Sequence, residues 1–291
     1  MQNLNTKFAD FNVCESDDTI HKLEEENHEM QKLIVKLTRE NSKLLEVVAE
    51  DKHQIAEIKQ KILQLESEKV EDKRKIAQLK SENAKHKCEK ILLNPPQIDL
   101  ETLEKHSWNS DDRSLNLYIK LDDQFTFHRY PVTQSTDCIR GKIGYSKSIH
   151  IWEIIWPQTM RGTNAVIGVA TNVAPLHKKG YSTLIGENNE SYGWNLVKNE
   201  CSFDSITWKY PNVEISNDEK YIAPEKIFCI LDMNEGLMAF STANNYLGVA
   251  FRGLKGKKLY PIVGCVWGHC EVTMKYLGGY DECMSNFAFT I

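Results

Sequence analysis

The chain has 291 residues, enough for one large domain with an appendage or for two domains. Apolar residues make up 41% of it, which is sufficient for a hydrophobic core, and its net charge of −5 argues against nucleic acid as a partner, because phosphate binding needs a basic surface. The N-terminus has no apolar segment typical of a signal peptide, and no run of about 18 apolar residues is present, so we expect a soluble, cytoplasmic protein that does not span a membrane.

The sequence also lacks the usual signatures of catalysis. Its eight cysteines form neither a Cys-x-x-Cys pair nor a His/Cys cluster at zinc spacing, so we expect free, partly buried thiols. His269 and Cys270 suggest a nucleophile with a base, but neighbouring strand residues point to opposite faces. No P-loop, Gly-x-Ser-x-Gly or His-Glu-x-x-His motif occurs. We therefore predict that the protein is not an enzyme and has no cofactor or metal.

In chain order, residues 1–19 are polar and aperiodic, and we expect a disordered tail there. A seven-residue repeat without proline or glycine then predicts a left-handed coiled coil over residues 20–88, with helices roughly 100 Å long. The apolar residues at its a and d positions are Ile20, Leu23, Met30, Ile34, Leu37, Leu44, Val48, Ile55, Ile58, Ile62, Leu65, Ile76 and Leu79.

The choice of residues in this seam predicts the number and direction of the helices. Branched residues at a with mostly leucine at d favour two parallel strands, and asparagines at a (Asn27, Asn41 and Asn83) have the same preference. Asp51, Lys69 and Asp72 are the weak points of the seam. We predict a parallel homodimer, although pairing with a different chain remains open.

Residues 89–98 contain Asn94-Pro-Pro96 and are predicted to be a linker. The remaining residues, 99–291, have the punctuation of an all-β domain. Ile149–Trp156 is a short apolar run that predicts a strand buried on both faces, and Asp232–Gly236 predicts a hairpin turn. Several short strands without helical periodicity between them predict a sandwich or barrel.

From about Ile91 to Gly279 the sequence resembles the SPRY domain of the SPRY-domain SOCS-box protein family. The runs that carry this resemblance include Phe127–Asp137, Arg161–Val166, Gly248–Pro261 and Val266–Glu271. The resemblance implies a bent β-sandwich of two antiparallel sheets. It also implies a shallow loop site for short Asn-rich peptides of the form Asp/Glu-x-Asn-Asn-Asn.

Carried over position by position, the peptide site consists of Arg129, Pro131, Thr133, Arg161, Gly162, Thr163, Tyr181, Val266, Trp267 and Gly268. The chemistry suits asparagine, whose side chain needs both donors and acceptors. We expect the two glycines to allow close backbone approach, Tyr181 and Trp267 to exclude water, and Arg129 or Arg161 to bind the acidic residue of the peptide.

Three features depart from the family pattern. Thr133 stands where the family usually has alanine, and Tyr192 replaces a usual tryptophan. The family continues into a SOCS box, which recruits elongins and a cullin ubiquitin ligase, whereas this sequence has no such segment after Gly279, so we expect no ligase recruitment by this route.

The preferred hypothesis is a dimeric, non-enzymatic module that binds Asn-rich segments of partner proteins. One alternative is a substrate adaptor for a ubiquitin ligase whose recruiter lies on another chain. The other alternative is a coiled-coil scaffold without peptide binding.

Overall fold

The computed structural model describes residues 5–93, 96–212 and 221–280. Predictions for residues 1–4, 94–95, 213–220 and 281–291, Cys283 among them, lie outside the described residues, as do the side chains of Cys14 and Cys88. The chain divides into two compact units between Lys75 and Ile76.

A single long helix, α1, spans Asn5–Leu93 and accounts for all of the first unit that is described. Residues 5–19 are thus helical, where the sequence predicted a disordered tail, because neither proline nor glycine interrupts residues 1–93. The helix also continues into the predicted 89–98 linker and ends just before the proline pair, which cannot extend it.

Within the described residues, the heptad stripe of α1 is not covered by any other element. All thirteen apolar residues at the a and d positions are exposed, with 46% to 64% of their surface accessible. A stable helix in water normally buries one apolar stripe. The a and d stripe is therefore an unpartnered surface in the isolated chain.

The second unit begins at Ile76, and its described residues form the last turns of α1, one short α-helix, a 3-10 helix at Gln158–Met160 and fifteen strands. The helix, α2, spans Leu100–Lys105 and was not predicted, although Asp99 marks its start by accepting a hydrogen bond from the N–H of Thr102 at 2.8 Å. The strands are β1 Trp108–Arg113, β2 Leu117–Ile119, β3 Thr126–Arg129, β4 Ser135–Gly141, β5 Ile149–Ile155, β6 Ala165–Ala170, β7 His177–Lys179, β8 Ser191–Asn195, β9 Glu200–Phe203, β10 Ile206–Lys209, β11 Lys226–Asp232, β12 Leu237–Ser241, β13 Tyr246–Arg252, β14 Tyr260–Cys265 and β15 Glu271–Tyr280.

The strands form two antiparallel sheets, which confirms the predicted β-sandwich. One sheet has the order β1-β4-β14-β6-β8-β9-β10, with β7 paired to β4, and the other has the order β13-β12-β11-β5-β15-β3-β2. The predicted hairpin turn joins β11 to β12. Strand β15 alternates between buried and accessible residues, as its sequence indicates.

Tryptophans fill the space between the sheets. Trp108, Trp152, Trp156 and Trp194 are each at most 2% exposed and belong to the core. Strand β5 places Ile151 and Ile154 on its two opposite faces, and both residues are buried. One face of the strand points into the sandwich, and the other is covered from outside. The central strand predicted to be buried on both faces is thus confirmed.

The last turns of α1 belong to the second unit and contact its β-sandwich. Lys80 Nζ lies 2.7 Å from Glu235 Oε2, and Arg252 Nη2 donates to the carbonyl of Ala77 at 3.4 Å. Ala84, on the same side of the helix, is only 4% exposed, whereas Leu79 in the heptad stripe is 64% exposed. The small alanines permit close packing on one face, and the heptad stripe remains accessible on another.

Candidate functional site

Four loops converge on one cavity of about 410 Å³ at the surface of the sandwich. Two of them, β3–β4 and β14–β15, connect the two sheets; the others precede β6 and follow β7. Seven of the ten predicted site residues line this cavity: Pro131, Thr133, Thr163, Tyr181, Val266, Trp267 and Gly268. Val132, which the sequence analysis did not select, completes the lining.

Two large aromatic side chains form the accessible walls of the cavity. Tyr181 is 52% exposed and Trp267 is 50% exposed. By contrast, the four tryptophans of the core are almost fully buried. A half-exposed tryptophan combines a flat apolar surface with an N–H donor at its edge. A ligand can therefore contact these two side chains without any change in the packing of the core.

Glycines let the loops approach one another closely. A Cβ atom on Gly162 would lie 3.0 Å from Trp267 Cε3, and Gly162 adopts a φ of +59°, so it lies under the indole instead of lining the cavity. A Cβ atom on Gly268 would lie 2.9 Å from Pro131 Cα. The β14–β15 loop therefore packs directly against the β3–β4 loop.

Arg129 lies behind the cavity and shapes the β3–β4 loop. It is fully buried, and its Nε donates to Asp137 Oδ2 at 2.9 Å. Its Nη1 and Nη2 donate to the carbonyls of Tyr130 at 3.2 Å, Val132 at 3.0 Å and Ser135 at 3.0 Å. Because the loop is wrapped around the guanidinium, this group is not available to the peptide.

The partner of Arg129 is a buried carboxylate that ties several elements together. Asp137 accepts hydrogen bonds from Ser114 Oγ at 2.6 Å, Asn116 Nδ2 at 2.9 Å and Ser135 Oγ at 2.7 Å, and His177 Nδ1 lies 2.9 Å from it. Burial by itself raises the pKa of Asp137, but these hydrogen bonds outweigh it and hold the pKa below its usual range. Asp137 is thus charged and structural.

Arg161 is also buried and is held by backbone carbonyls. Its Nη1 donates to Ala223 O at 2.6 Å, and its Nη2 donates to Trp156 O at 2.8 Å and Pro224 O at 2.5 Å. Burial lowers the pKa of Arg161 to about 10. The expectation that Arg129 or Arg161 meets the acidic residue of a peptide is therefore not supported, because both guanidiniums are engaged inside the fold.

A hydrogen-bonded frame holds the loop that carries Tyr181. Thr136 Oγ1 donates to the carbonyl of Gly180 at 2.7 Å and lies 2.9 Å from that of Ser182. Asn164 Nδ2 donates to the same Ser182 carbonyl at 3.0 Å. The backbone on both sides of Tyr181 is thus fixed, so little ordering is needed when a ligand binds.

Polar groups remain unused in the cavity. Within the described part of the chain, the hydroxyls of Thr133, Thr163 and Tyr181 and the indole N–H of Trp267 make no hydrogen bond. Hydroxyls both donate and accept, whereas the indole only donates. This set matches the mixed requirements of amide side chains.

A second cavity, of about 420 Å³, contains none of the predicted site residues. Its two histidines are paired with neighbouring tyrosines, whereas the hydroxyl of Tyr280 has no hydrogen-bond partner within the described residues. His106 Nδ1 lies 2.7 Å from Tyr145 Oη, His150 Nδ1 lies 2.9 Å from Tyr276 Oη, and the rings of His106 and Tyr276 stack at 3.8 Å. The first cavity has more unused hydrogen-bonding capacity in its side chains, which makes it the candidate site.

Cysteine chemistry is absent from the described part of the site. Cys270 is fully buried, whereas His269 is exposed, so the two side chains diverge as the sequence predicts. Burial raises the pKa of the Cys138 and Cys265 thiols, which disfavours the nucleophilic thiolate. The described residues contain no His/Cys/Asp/Glu group arranged to hold a metal ion.

The remaining departure from the family pattern lies in the core. Tyr192 is 3% exposed and stacks on Phe203 with a centroid distance of 4.3 Å. Its hydroxyl accepts a hydrogen bond from Lys257 Nζ at 2.7 Å. Tyr192 is thus a packed structural residue and does not contribute to the cavity.

Comparisons with known proteins agree with this architecture. A model of the SPRY domain matches residues 149–278. The SPRY domain of human HERC1 covers 58% of this chain and 97% of its own, with a TM-score of 0.43 and 14% identity. The match of the family model shows that the second unit contains a SPRY domain, which is a protein-interaction module.

Relatives in sequence identify the family more closely. The protein gustavus of Drosophila melanogaster is 55% identical over 194 residues, which cover 66% of this chain and 69% of gustavus. Human SPRY domain-containing SOCS box protein 1 is 50% identical over 194 residues, which cover 66% of this chain and 71% of that protein. The chain belongs to the family of SPRY domain-containing SOCS box proteins.

No helix in residues 5–93, 96–212 and 221–280 is both long enough and apolar enough to cross a bilayer.

Proposed function

We propose that this protein recognises short Asn-rich segments of partner proteins through the loop cavity of its SPRY domain and dimerises through α1. The observation that carries the proposal is the convergence of Thr133, Tyr181 and Trp267, from three distant parts of the chain, on one cavity. The cavity volume of about 410 Å³ lies in the range of about 300–1,000 Å³ that is usual for ligand sites.

Asparagine suits this cavity better than an apolar residue does. Each asparagine side chain offers two donors and one acceptor oxygen, and the free hydroxyls and indole N–H supply complementary groups. An apolar side chain would leave those groups without partners on desolvation, at a cost of about 1–3 kcal/mol for each one. Selectivity for amides therefore follows both from the hydrogen bonds that an amide forms and from the desolvation cost that an apolar side chain would incur.

An extended peptide also fits the shape of the site. The cavity is an open depression between half-exposed aromatic walls, so a backbone can cross it while alternate side chains enter. Arg129, Thr136 and Asn164 hold the loops in place through their hydrogen bonds. Most of the conformational entropy lost on binding is therefore lost by the peptide.

Dimerisation is supported by the thirteen exposed a and d residues of α1. A second copy would cover this stripe and pair Asn27, Asn41 and Asn83 with their counterparts in a parallel dimer. Two peptide sites on one dimer would bind a clustered target with avidity when the geometry permits both to engage.

Titration of the full chain by calorimetry tests the peptide site. The peptide Asp-Ile-Asn-Asn-Asn is expected to bind at least tenfold more tightly than a scrambled peptide of the same composition, because only the ordered sequence aligns amides with the free groups. Equal affinities for the two peptides would reject the proposed site.

A second candidate function is that of a ubiquitin-ligase substrate adaptor with its recruiter on another chain. The observation in its favour is the identity of 50% with a relative whose name includes a SOCS box. Co-purification of the full chain with elongin or cullin components would support this role. Their absence from a complex that still binds peptide would leave a scaffold or a competitor for ligase substrates.

A further inference from the structure

The burial of both site arginines raises the question of which group meets a charge on the ligand. Arg129 and Arg161 lie within the fold and donate to Asp137 and to backbone carbonyls. Lys178 is paired with Glu187, and His177 lies 2.9 Å from Asp137. Among the described residues of the loops and strand ends next to the cavity, His269 and Lys179 are exposed basic side chains without an acidic partner.

His269 occupies a fixed and unusual position. It follows Gly268, which lines the cavity, and adopts a φ of +60°, a backbone conformation that few residues other than glycine adopt. Its backbone N–H donates to the carbonyl of Arg129 at 2.9 Å, which fixes the loop backbone at this residue. Its imidazole is exposed and has no hydrogen-bond partner within the described residues.

The groups around His269 include one carboxylate, that of Glu271, which is already engaged. Its ring contacts that of His128 on β3, with centroids 5.5 Å apart. His128 Nδ1 lies 3.2 Å from Glu271 Oε1 on β15, and Lys120 Nζ lies 3.4 Å from Glu271 Oε2. Glu271, the nearby carboxylate, is thus already shared by two basic groups. The ring of Tyr118 on β2 completes the surroundings of His128.

We propose that His269 is the carboxylate-binding group at the rim of the peptide cavity and reads an acidic residue that flanks the amide-rich segment. The proposal rests on the peptide-binding function above and adds a specificity-determining residue to it. A protonated imidazole is a cation and a neutral one is not, so the preference for an acidic residue is expected to increase as the pH falls.

The test compares two peptides, Asp-Ile-Asn-Asn-Asn and Asn-Ile-Asn-Asn-Asn, by calorimetry with the full chain at pH 5.5 and pH 8. The wild type is expected to prefer the acidic peptide two- to fivefold at pH 5.5, the range typical of exposed ion pairs, and to show little preference at pH 8. His269→Asn removes the titrating group but tolerates positive φ, and is expected to bind both peptides equally at both pH values.

Two further variants separate the outcomes. His269→Lys carries a charge that does not titrate in this range and is expected to keep the preference at both pH values. Lys179→Gln is expected to behave like the wild type. A preference that is independent of pH, that survives in His269→Asn, or that disappears in Lys179→Gln would overturn the assignment to His269. Equal binding of both peptides by the wild type would also overturn it while leaving the cavity site intact, whereas binding of neither peptide would overturn the proposed function itself.

Discussion

Replacing Arg129 with lysine separates two roles that a site arginine can have. In the structure, Arg129 makes four hydrogen bonds of 2.9–3.2 Å, one to Asp137 and three to backbone carbonyls. A lysine keeps the positive charge but has a single nitrogen, which cannot reach all four acceptors. At least two bonds to a charged donor are lost, each contributing about 1.5–3 kcal/mol, so we expect a loss of about 3 kcal/mol in the free energy of unfolding.

Urea unfolding followed by tryptophan fluorescence measures this loss. With a denaturant slope of about 3 kcal/mol per molar, the upper end of the usual range for small proteins, the midpoint is expected to fall by about 1 M without a change in slope. Peptide affinity should fall equally for acidic and neutral peptides, because the change disturbs the shape of the β3–β4 loop and removes no direct contact with the ligand.

Arg140 provides a matched control for this experiment. It is 3% exposed and donates to Asp112 through two nitrogens, at 2.6 and 2.8 Å, and to the carbonyls of Ala174 and Asn172. Arg140→Lys should destabilise the domain similarly but leave peptide affinity unchanged while the protein is folded. If Arg129→Lys has wild-type stability and loses only the preference for acidic peptides, Arg129 contacts the ligand and our interpretation is wrong.

Three further predictions concern the site, the helix and pH. Truncation of the half-exposed side chains in Trp267→Ala or Tyr181→Ala should abolish peptide binding with less than about 1 kcal/mol of change in stability, and retained affinity in either variant would contradict the site. Ile62→Asp in the heptad stripe should dissociate the dimer in sedimentation experiments, whereas Leu63→Asp, at an adjacent position outside the stripe that is 68% exposed, should not; a monomeric wild type at micromolar concentration would refute dimerisation. The fold lowers the pKa of Asp137, so the stability that this carboxylate contributes is fully present above the ordinary carboxyl pKa and is lost as the pH falls through the pKa of the folded state. Below about pH 4 the stability of the wild type should therefore decrease more steeply than that of Asp137→Asn. Parallel pH profiles of the two proteins would argue against this role.

Periodicity and resemblance predicted most of the architecture. The two-faced burial of β5 and the turn between β11 and β12 both depend on local patterns, and both predictions are confirmed. The sequence predicted a disordered tail over residues 1–19 because their composition is polar. The structure instead begins α1 at Asn5, since no proline or glycine in residues 5–19 opposes a helix. The short α2 was missed because six residues contain too few turns to show a helical period.

The sequence indicated which residues line the cavity better than it indicated the role of each arginine. A sequence does not reveal whether an arginine points into a cavity or away from it, and both Arg129 and Arg161 point into the fold. The separation of eight positions between Arg129 and Asp137 was a usable signal for a buried ion pair, since the short loop from β3 to β4 brings the two side chains together. Val132 gave no such signal, because its part in the cavity lining depends on the conformation of the loop.

Hydrogen exchange of the full chain, measured by mass spectrometry with and without the peptide Asp-Ile-Asn-Asn-Asn, tests the central claim most directly. We predict slower exchange on binding in the loops at residues 130–134, 162–164, 180–182 and 266–269, because the peptide covers their backbone, and unchanged exchange in β8–β10 on the far side of the sheet order. Protection that is confined to other segments, or the absence of any protection at a saturating peptide concentration, would contradict the account.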